Sequence, residues 1–231
     1  MGRYLAGQVE RGERITEELA IGIKRYFEKA PFNFGYWAPY KRLIKLLETK
    51  PDADTILAVA LARVDGQLQK ISHTLAPDQL RPYVPSAPTL VAGPDTIAYL
   101  MRRGRRWLRR LGHNDHSIYA RCAAALLIAA DSQGAHAKIG SRWILSDILY
   151  GRATQNSNHS HESQSLPSEQ HRYTQRWDRF PKVWNKHIDV VSEIWLATAN
   201  NTDIQAWAFN VLKSQRKKIL SLRPPGLRLA L

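Results

Sequence analysis

Between Met101 and Leu111 the chain reads Met-Arg-Arg-Gly-Arg-Arg-Trp-Leu-Arg-Arg-Leu, six guanidiniums with no acid among them. Projected on a helix at about 100° per residue, Arg102, Arg103, Arg105, Arg106, Arg109 and Arg110 fall within an arc of about 160°. Ile97, Leu100, Met101, Trp107, Leu108 and Leu111 take the opposite side, with Gly104 in its middle. Glycine costs a helix interior about 1 kcal/mol relative to alanine. Its place there predicts close approach by a neighbouring helix. A solvated face normally mixes signs, because like charges four residues apart repel. Arg102 with Arg106, Arg105 with Arg109 and Arg106 with Arg110 are all such pairs. Arginine in place of lysine favours bidentate partners, phosphates or carboxylates. The leading expectation is therefore a grip on nucleic-acid phosphates. Carboxylates of this chain or of an acidic partner protein, and a plain solvated face, are the alternatives. Insertion at a membrane surface needs the apolar side exposed, and Gly104 argues that this side is packed, so no membrane partner is expected.

A second basic tract lies near the end of the chain. After Asp203 no acidic residue follows, while Lys213, Arg216, Lys217, Lys218, Arg223 and Arg228 accumulate. Pro224-Pro225-Gly226 stops helix formation, so residues 221–231 read as a tail. Lys213, Arg216, Lys217 and Lys218 are candidate phosphate contacts, against a solubilising role. The whole chain agrees in sign: 34 Lys and Arg against 20 Asp and Glu give a net charge of +14.

Other chemistries find weaker support. His159-Ser160-His161, with Glu162 and His171, and the pair His113 and His116 have metal-ligand types. Neither has the cysteine partners or the His-Glu-x-x-His spacing of a zinc site. No metal or cofactor is expected. Residues 134–140 contain glycines without the spacing of a nucleotide fingerprint, and no Gly-x-Ser-x-Gly or Cys-x-x-Cys occurs. Cys122, the single cysteine, sits among alanines and reads as a small core residue; it also excludes an intramolecular disulfide. No catalytic residue is assigned. Asp178 beside Trp177 is the one pairing of carboxylate and aromatic that could serve an enzyme acting on nucleic acid. Trp143, Trp195 and Trp207 read as core. Trp37, Trp177 and Trp184 are the better candidates for stacking or anchoring a partner, although packing is the expected use of these three as well.

The elements that must position these residues are helical throughout. Ile15, Leu19, Ile23 and Phe27 recur every four residues over 14–30. Pro31 stops that helix, and Phe32, Phe34, Tyr36 and Trp37 form an aromatic connector. Pro39 suits the first turn of the next helix, over 40–50, and Asp52 or Asp54 caps a third running to about Leu68. Asp95 caps the arginine helix and Gly112 ends it; Asp115 or Ser117 opens the next, to about Ala130. A further helix starts near Ser141, and two more cover 183–199 and 203–220. No period-two pattern survives, so the fold is expected to be all-α, either a HEAT-like stack of antiparallel hairpins or an irregular bundle. The longest apolar stretch, 122–130, is far short of the ~20 residues that span a bilayer, which leaves a soluble, cytoplasmic protein as the expectation.

The chain divides into an N-terminal helical group (1–76), a proline-rich connector (77–94) and a central hairpin with the basic face (95–150). A polar segment (151–179), expected to be flexible up to about Gln175, a C-terminal hairpin (180–220) and the tail follow. Pro181…Ile188…Val191…Ile194-Trp195, then Asn200-Asn201-Thr202-Asp203-Ile204-Gln205-Ala206-Trp207-Ala208, resembles one HEAT-type hairpin. Asp115…Tyr119-Ala120-Arg121-Cys122-Ala123-Ala124-Ala125-Leu126-Leu127 is similar to the second helix of another, with 96–111 as its first. The resemblance covers about half the chain. It implies a scaffold or complex subunit that binds protein or nucleic acid, and it brings no catalytic residues with it. Some helical-repeat proteins of similar outline excise damaged bases, which keeps the enzyme alternative open.

Overall fold

A computed structural model describes residues 1–12, 14–29, 34–50, 52–66, 94–132, 142–151 and 167–217. Among them the protein is all-α, with eleven helices and no strand. These are α1 (Gly2–Arg11), α2 (Glu17–Lys29), α3 (Phe34–Leu47), α4 (Asp54–Asp65), α5 (Pro94–Asn114) and α6 (His116–Ser132). They are followed by α7 (Trp143–Tyr150), α8 (Glu169–Thr174), α9 (Pro181–Lys186), α10 (Ile188–Ala197) and α11 (Thr202–Ser214).

α4 is the central helix. It packs against α2, α3, α5, α6 and α7, and Ile56, Leu57, Ala58, Ala60, Leu61, Ala62 and Val64 are all buried. A helix apolar on most sides belongs in the interior. Its last residue, Asp65, is buried too. There its two carboxylate oxygens accept the backbone N–H groups of Ile144 and Leu145, each at 2.9 Å. α7 offers no side-chain cap of its own at Arg142, so α4 caps it from across the fold, satisfying donors a helix start leaves open. Burial pushes the Asp65 carboxyl up to about 6, against the pull of those hydrogen bonds and of Arg142.

Tyr119 of α6 touches Phe180 and Trp184 with ring centroids 4.9 and 5.6 Å apart, and Trp184 touches Trp207 of α11 at 4.9 Å. This aromatic chain joins the C-terminal helices to the core that contains α4 and α5.

The structure differs from the sequence reading at several boundaries. Gly2–Arg11 is a helix that the sequence pattern did not announce: Gly2, Leu5, Ala6 and Val9 form its buried stripe, and two of these are too small to register as apolar signals. The supposed connector from Phe34 to Trp37 is the first turn of α3, and Pro39 lies inside that helix. Near a helix start, proline removes a single backbone bond. The first long helix begins at Glu17 because Thr16 Oγ1 accepts the N–H of Leu19. Gly112 does not end α5, which runs to Asn114; a side chain at position 112 would collide with the Phe180 ring. The stop comes one residue later, at Asp115, whose carboxylate accepts the N–H groups of Ser117 and Ile118 at 3.0 and 2.9 Å. The expected helix over 183–199 is two, parted at His187, and α8 lies within the polar segment. The remainder of that segment, at 152–166, and the proline-rich connector, apart from Pro94 at the start of α5, lie outside the described residues.

Candidate functional site

α5 keeps its apolar side inward. Ile97, Leu100, Met101, Trp107 and Leu108 are buried, and Leu111 packs partly against the core. Gly104 is buried where α5 meets α4 and α7: a Cβ there would lie 2.8 Å from Leu61 Cδ2 and 2.9 Å from Ile144 Cδ1. The close approach expected from the sequence is therefore present, and even a methyl group forces a neighbour to move.

The six arginines separate into a central stripe and two edges. On one edge Arg103 forms a bidentate pair with Glu48, its Nε and Nη2 each 2.6 Å from a carboxylate oxygen. Arg103 also donates to the Tyr99 hydroxyl at 3.3 Å. That hydrogen bond is the main reason the Tyr99 phenol lies below its ordinary value, with Lys45 and Lys41 adding to it. The Glu48 pairing raises the Arg103 guanidinium in turn. Lys41 covers the Tyr99 ring, 5.1 Å from its centroid.

On the other edge Arg109 forks onto Asp147 of α7, with Nε at 3.0 Å from Oδ2 and Nη2 on Oδ1. Arg179 reaches the same Oδ1 at 2.8 Å, and Arg105 stands off it with Nε at 3.8 Å. Three guanidiniums thus surround one carboxylate whose side chain is 3% exposed. Burial lowers the Arg105 guanidinium, and Arg109 beside it adds repulsion.

Between the edges stand Arg102, Arg106 and Arg110, all exposed and in no ion pair among the described residues. Spaced four residues apart, they rise along one line of the helix, about 6 Å between successive residues. The acids that divide the face, Glu48 and Asp147, lie 55 and 38 residues from their partners. No local sequence window contains them.

The second tract is only partly described. Lys213, Arg216 and Lys217 are exposed at the C-terminal end of α11, and Lys218 lies outside the described residues. Phe209, one turn earlier than Lys213, is 53% exposed.

The remaining candidates resolve individually. Asp178 is fully buried and takes Arg176 Nε and Nη2 at 3.0 Å each, so its carboxylate serves a local ion pair. Arg176 in turn donates to Asn185 and Ser214 and ties the 176–178 segment to α11. Trp177 is half-buried and donates to the His171 carbonyl at 3.4 Å. Trp184 is fully buried, which agrees with packing and removes it as an anchor for partners, whereas Trp195, expected in the core, is 41% exposed. Trp207 is core as expected, and Trp37 stacks on Tyr40 with ring centroids 5.9 Å apart. Cys122 is buried among α6 alanines, and burial pushes its thiol up to about 12, which keeps it un-ionised. His113 packs edge-on against Phe180 at 5.1 Å, and no group of three metal-ligand side chains converges among the described residues. His159, His161 and Glu162 lie outside them. No described helix is long and apolar enough to cross a membrane.

Comparison with family models, with curated proteins and with solved structures finds no match for this chain. What the site can do rests on its own geometry.

Proposed function

We propose that the protein is a helical scaffold or accessory subunit that grips nucleic-acid phosphates through the exposed line Arg102, Arg106 and Arg110. The observation that carries this reading is that three guanidiniums along α5 face solvent in no ion pair among the described residues, on a helix whose opposite side is packed against the core. Guanidiniums repelling one another at four-residue spacing have no local reason to be there. An external row of phosphates supplies one, because each presents several acceptor oxygens to a planar fork of donors. Contacts of this kind give affinity and register but not sequence readout. Lys213, Arg216 and Lys217 add a second electrostatic contact. A HEAT-like stacking of the α5–α6 and α10–α11 pairs, which pack against each other as hairpins, would suit a binding scaffold. The location compatible with this role is cytoplasmic.

The reading is tested by the salt dependence of binding to duplex DNA and duplex RNA. Six neutralised phosphates give a slope of log K against log[salt] near −5. Changing Arg102, Arg106 and Arg110 together to Gln should flatten it by up to about three units. The helical signal should hold, since glutamine is nearly as good a helix former as arginine. Arg109 is left intact because its fork serves Asp147. A triple variant with the parent's affinity and slope removes this line from the interface. If the parent binds neither nucleic acid at low salt but retains an acidic protein through these arginines, the adaptor role takes its place.

A further inference from the structure

We infer that the Asp147 cluster, on the edge of α5, is a seat for one phosphate group, held by Arg105, Arg109 and Arg179. The cluster carries three cations and one anion, and its donors are unevenly used. Arg109 makes two hydrogen bonds to Asp147 and Arg179 makes one. Arg105 makes none among the described residues, its Nε halting 3.8 Å from Oδ1. Arg179 is 10% exposed, and its Nε is buried with no hydrogen-bond partner. An internal ion pair is complete with one forked arginine and one supporting donor. A third guanidinium, partly withdrawn from water and repelled by Arg109 and Arg179, is costly to hold there unless an anion joins the cluster.

Access and shape point to the ligand. The Arg105 and Arg109 side chains are 24% and 30% exposed, so the cluster opens to solvent on the side next to Arg102 and Arg106. The three guanidiniums outnumber Asp147, with buried Asp65 also acting on Arg105. The remaining positive charge suits a phosphate, whose tetrahedral oxygens can meet donors arriving from α5 and from the segment before α9. A planar carboxylate offers two oxygens in one plane and leaves one of these directions unmet. Asp147 then acts as a positioning residue, holding the Arg109 and Arg179 forks while Arg105 is left for the ligand. This seat lies beside the exposed line of the nucleic-acid reading but does not depend on it. The phosphate could come from a nucleic-acid strand or from a small phosphomonoester.

The test uses the full chain in buffers of constant ionic strength, with inorganic phosphate as probe and chloride and citrate as controls. Without phosphate, Arg105→Gln should melt at or above the parent temperature, since it relieves crowded charge. Phosphate at about a hundred times Kd should raise the parent melting temperature by about 5 °C or more. Citrate and chloride should not. Arg105→Gln should bind phosphate at least tenfold more weakly by calorimetry, while Arg25→Gln, exposed on α2, should match the parent. An equal response to citrate, equal phosphate binding by parent and Arg105→Gln, or a marked loss of stability in Arg105→Gln without ligand would each overturn the seat. Competition between phosphate and a short oligonucleotide assigns it to a strand backbone. Phosphate binding that no oligonucleotide displaces assigns it to a phosphomonoester, and that result stands even where the nucleic-acid reading fails.

Discussion

The arginines of α5 and the basic residues of α11 are alike in charge but stand in different places on their helices. Lys213 lies in the last turn of α11, where the partial negative charge of the helix end favours a cation by about 0.3–1 kcal/mol. Arg102, Arg106 and Arg110 occupy successive turns of the 21-residue α5, and Arg102 and Arg106 sit well inside it, beyond the reach of either helix end. Lys213 therefore has a structural reason to exist, and Arg102 and Arg106 have none among the described residues. The supports differ as well. α5 is fixed by Gly104 beneath it and by Glu48 and Asp147 at its edges. No described acid pairs with Lys213, Arg216 or Lys217. A rigid platform carrying unsatisfied charge is the better candidate for a functional surface than charge that stabilises its own helix.

The largest effect should come from removing the anchor. Asp147→Ala leaves Arg105, Arg109 and Arg179 facing one another without the carboxylate that pairs them. Removing one partner of a buried ion pair costs about 3–5 kcal/mol, to be read from urea unfolding. Adding Arg105→Gln to that variant should recover part of the loss, because one of three repelling cations is gone. Should Asp147→Ala unfold with the parent midpoint, the edge of α5 is not held by this carboxylate, and the platform description fails.

A smaller loss should follow from widening the helix contact below. Gly104→Leu must displace Leu61 and Ile144, both fully buried, and overpacking of this kind costs about 1–3 kcal/mol. Gly104→Ala should cost much less, since the atoms its methyl displaces are the ends of the Leu61 and Ile144 side chains and alanine regains about 1 kcal/mol of helix propensity. A leucine variant as stable as the parent shows that α5 lifts away from α4 without penalty, and the two basic regions then differ less in rigidity than described.

The asymmetry of α5 was legible from its own residues. The arc of arginines, the apolar side and the odd glycine all follow from a period of 3.6, and Gly104 announced a tight crossing. The all-α class followed in the same way. What local sequence could not show was the use made of each arginine. Glu48 and Asp147 are chosen by tertiary packing, as is Asp65, which caps α7 from 79 residues away. Boundaries failed where small residues carried the packing, as Gly2 and Ala6 do in α1, where a proline near a helix start cost a single backbone bond, as at Pro39, or where tertiary contact overrode a breaker, as at Gly112. Trp195 misled for a related reason: it lies in an apolar run, Ile194-Trp195-Leu196, yet is 41% exposed, while Trp184, flanked by Lys182, Asn185 and Lys186, is enclosed by the aromatic chain through Tyr119 and Trp207.

The smallest effects carry the sharpest contrast because they differ in sign. Lys213→Gln with Lys217→Gln removes cations from the end of α11 and should lower stability by a few tenths of a kcal/mol at low salt. Arg102→Gln with Arg106→Gln removes a like-charge pair from the middle of α5 and should raise stability by about 0.2–0.5 kcal/mol. Both changes replace two cations by two neutral amides, so the drop in net charge is the same and cancels in the comparison. High salt should shrink both differences, since exposed charges are screened within about 10 Å at 0.1 M. Paired denaturant titrations of the two variants at low and high salt measure this directly. A loss of stability in both would mean that Arg102 and Arg106 hold the fold together after all, leaving no unsatisfied charge on α5 to bind anything. A loss in α11 beside a gain in α5 leaves the α5 line as charge maintained against the stability of its own helix, which is the expected signature of a surface kept for a partner.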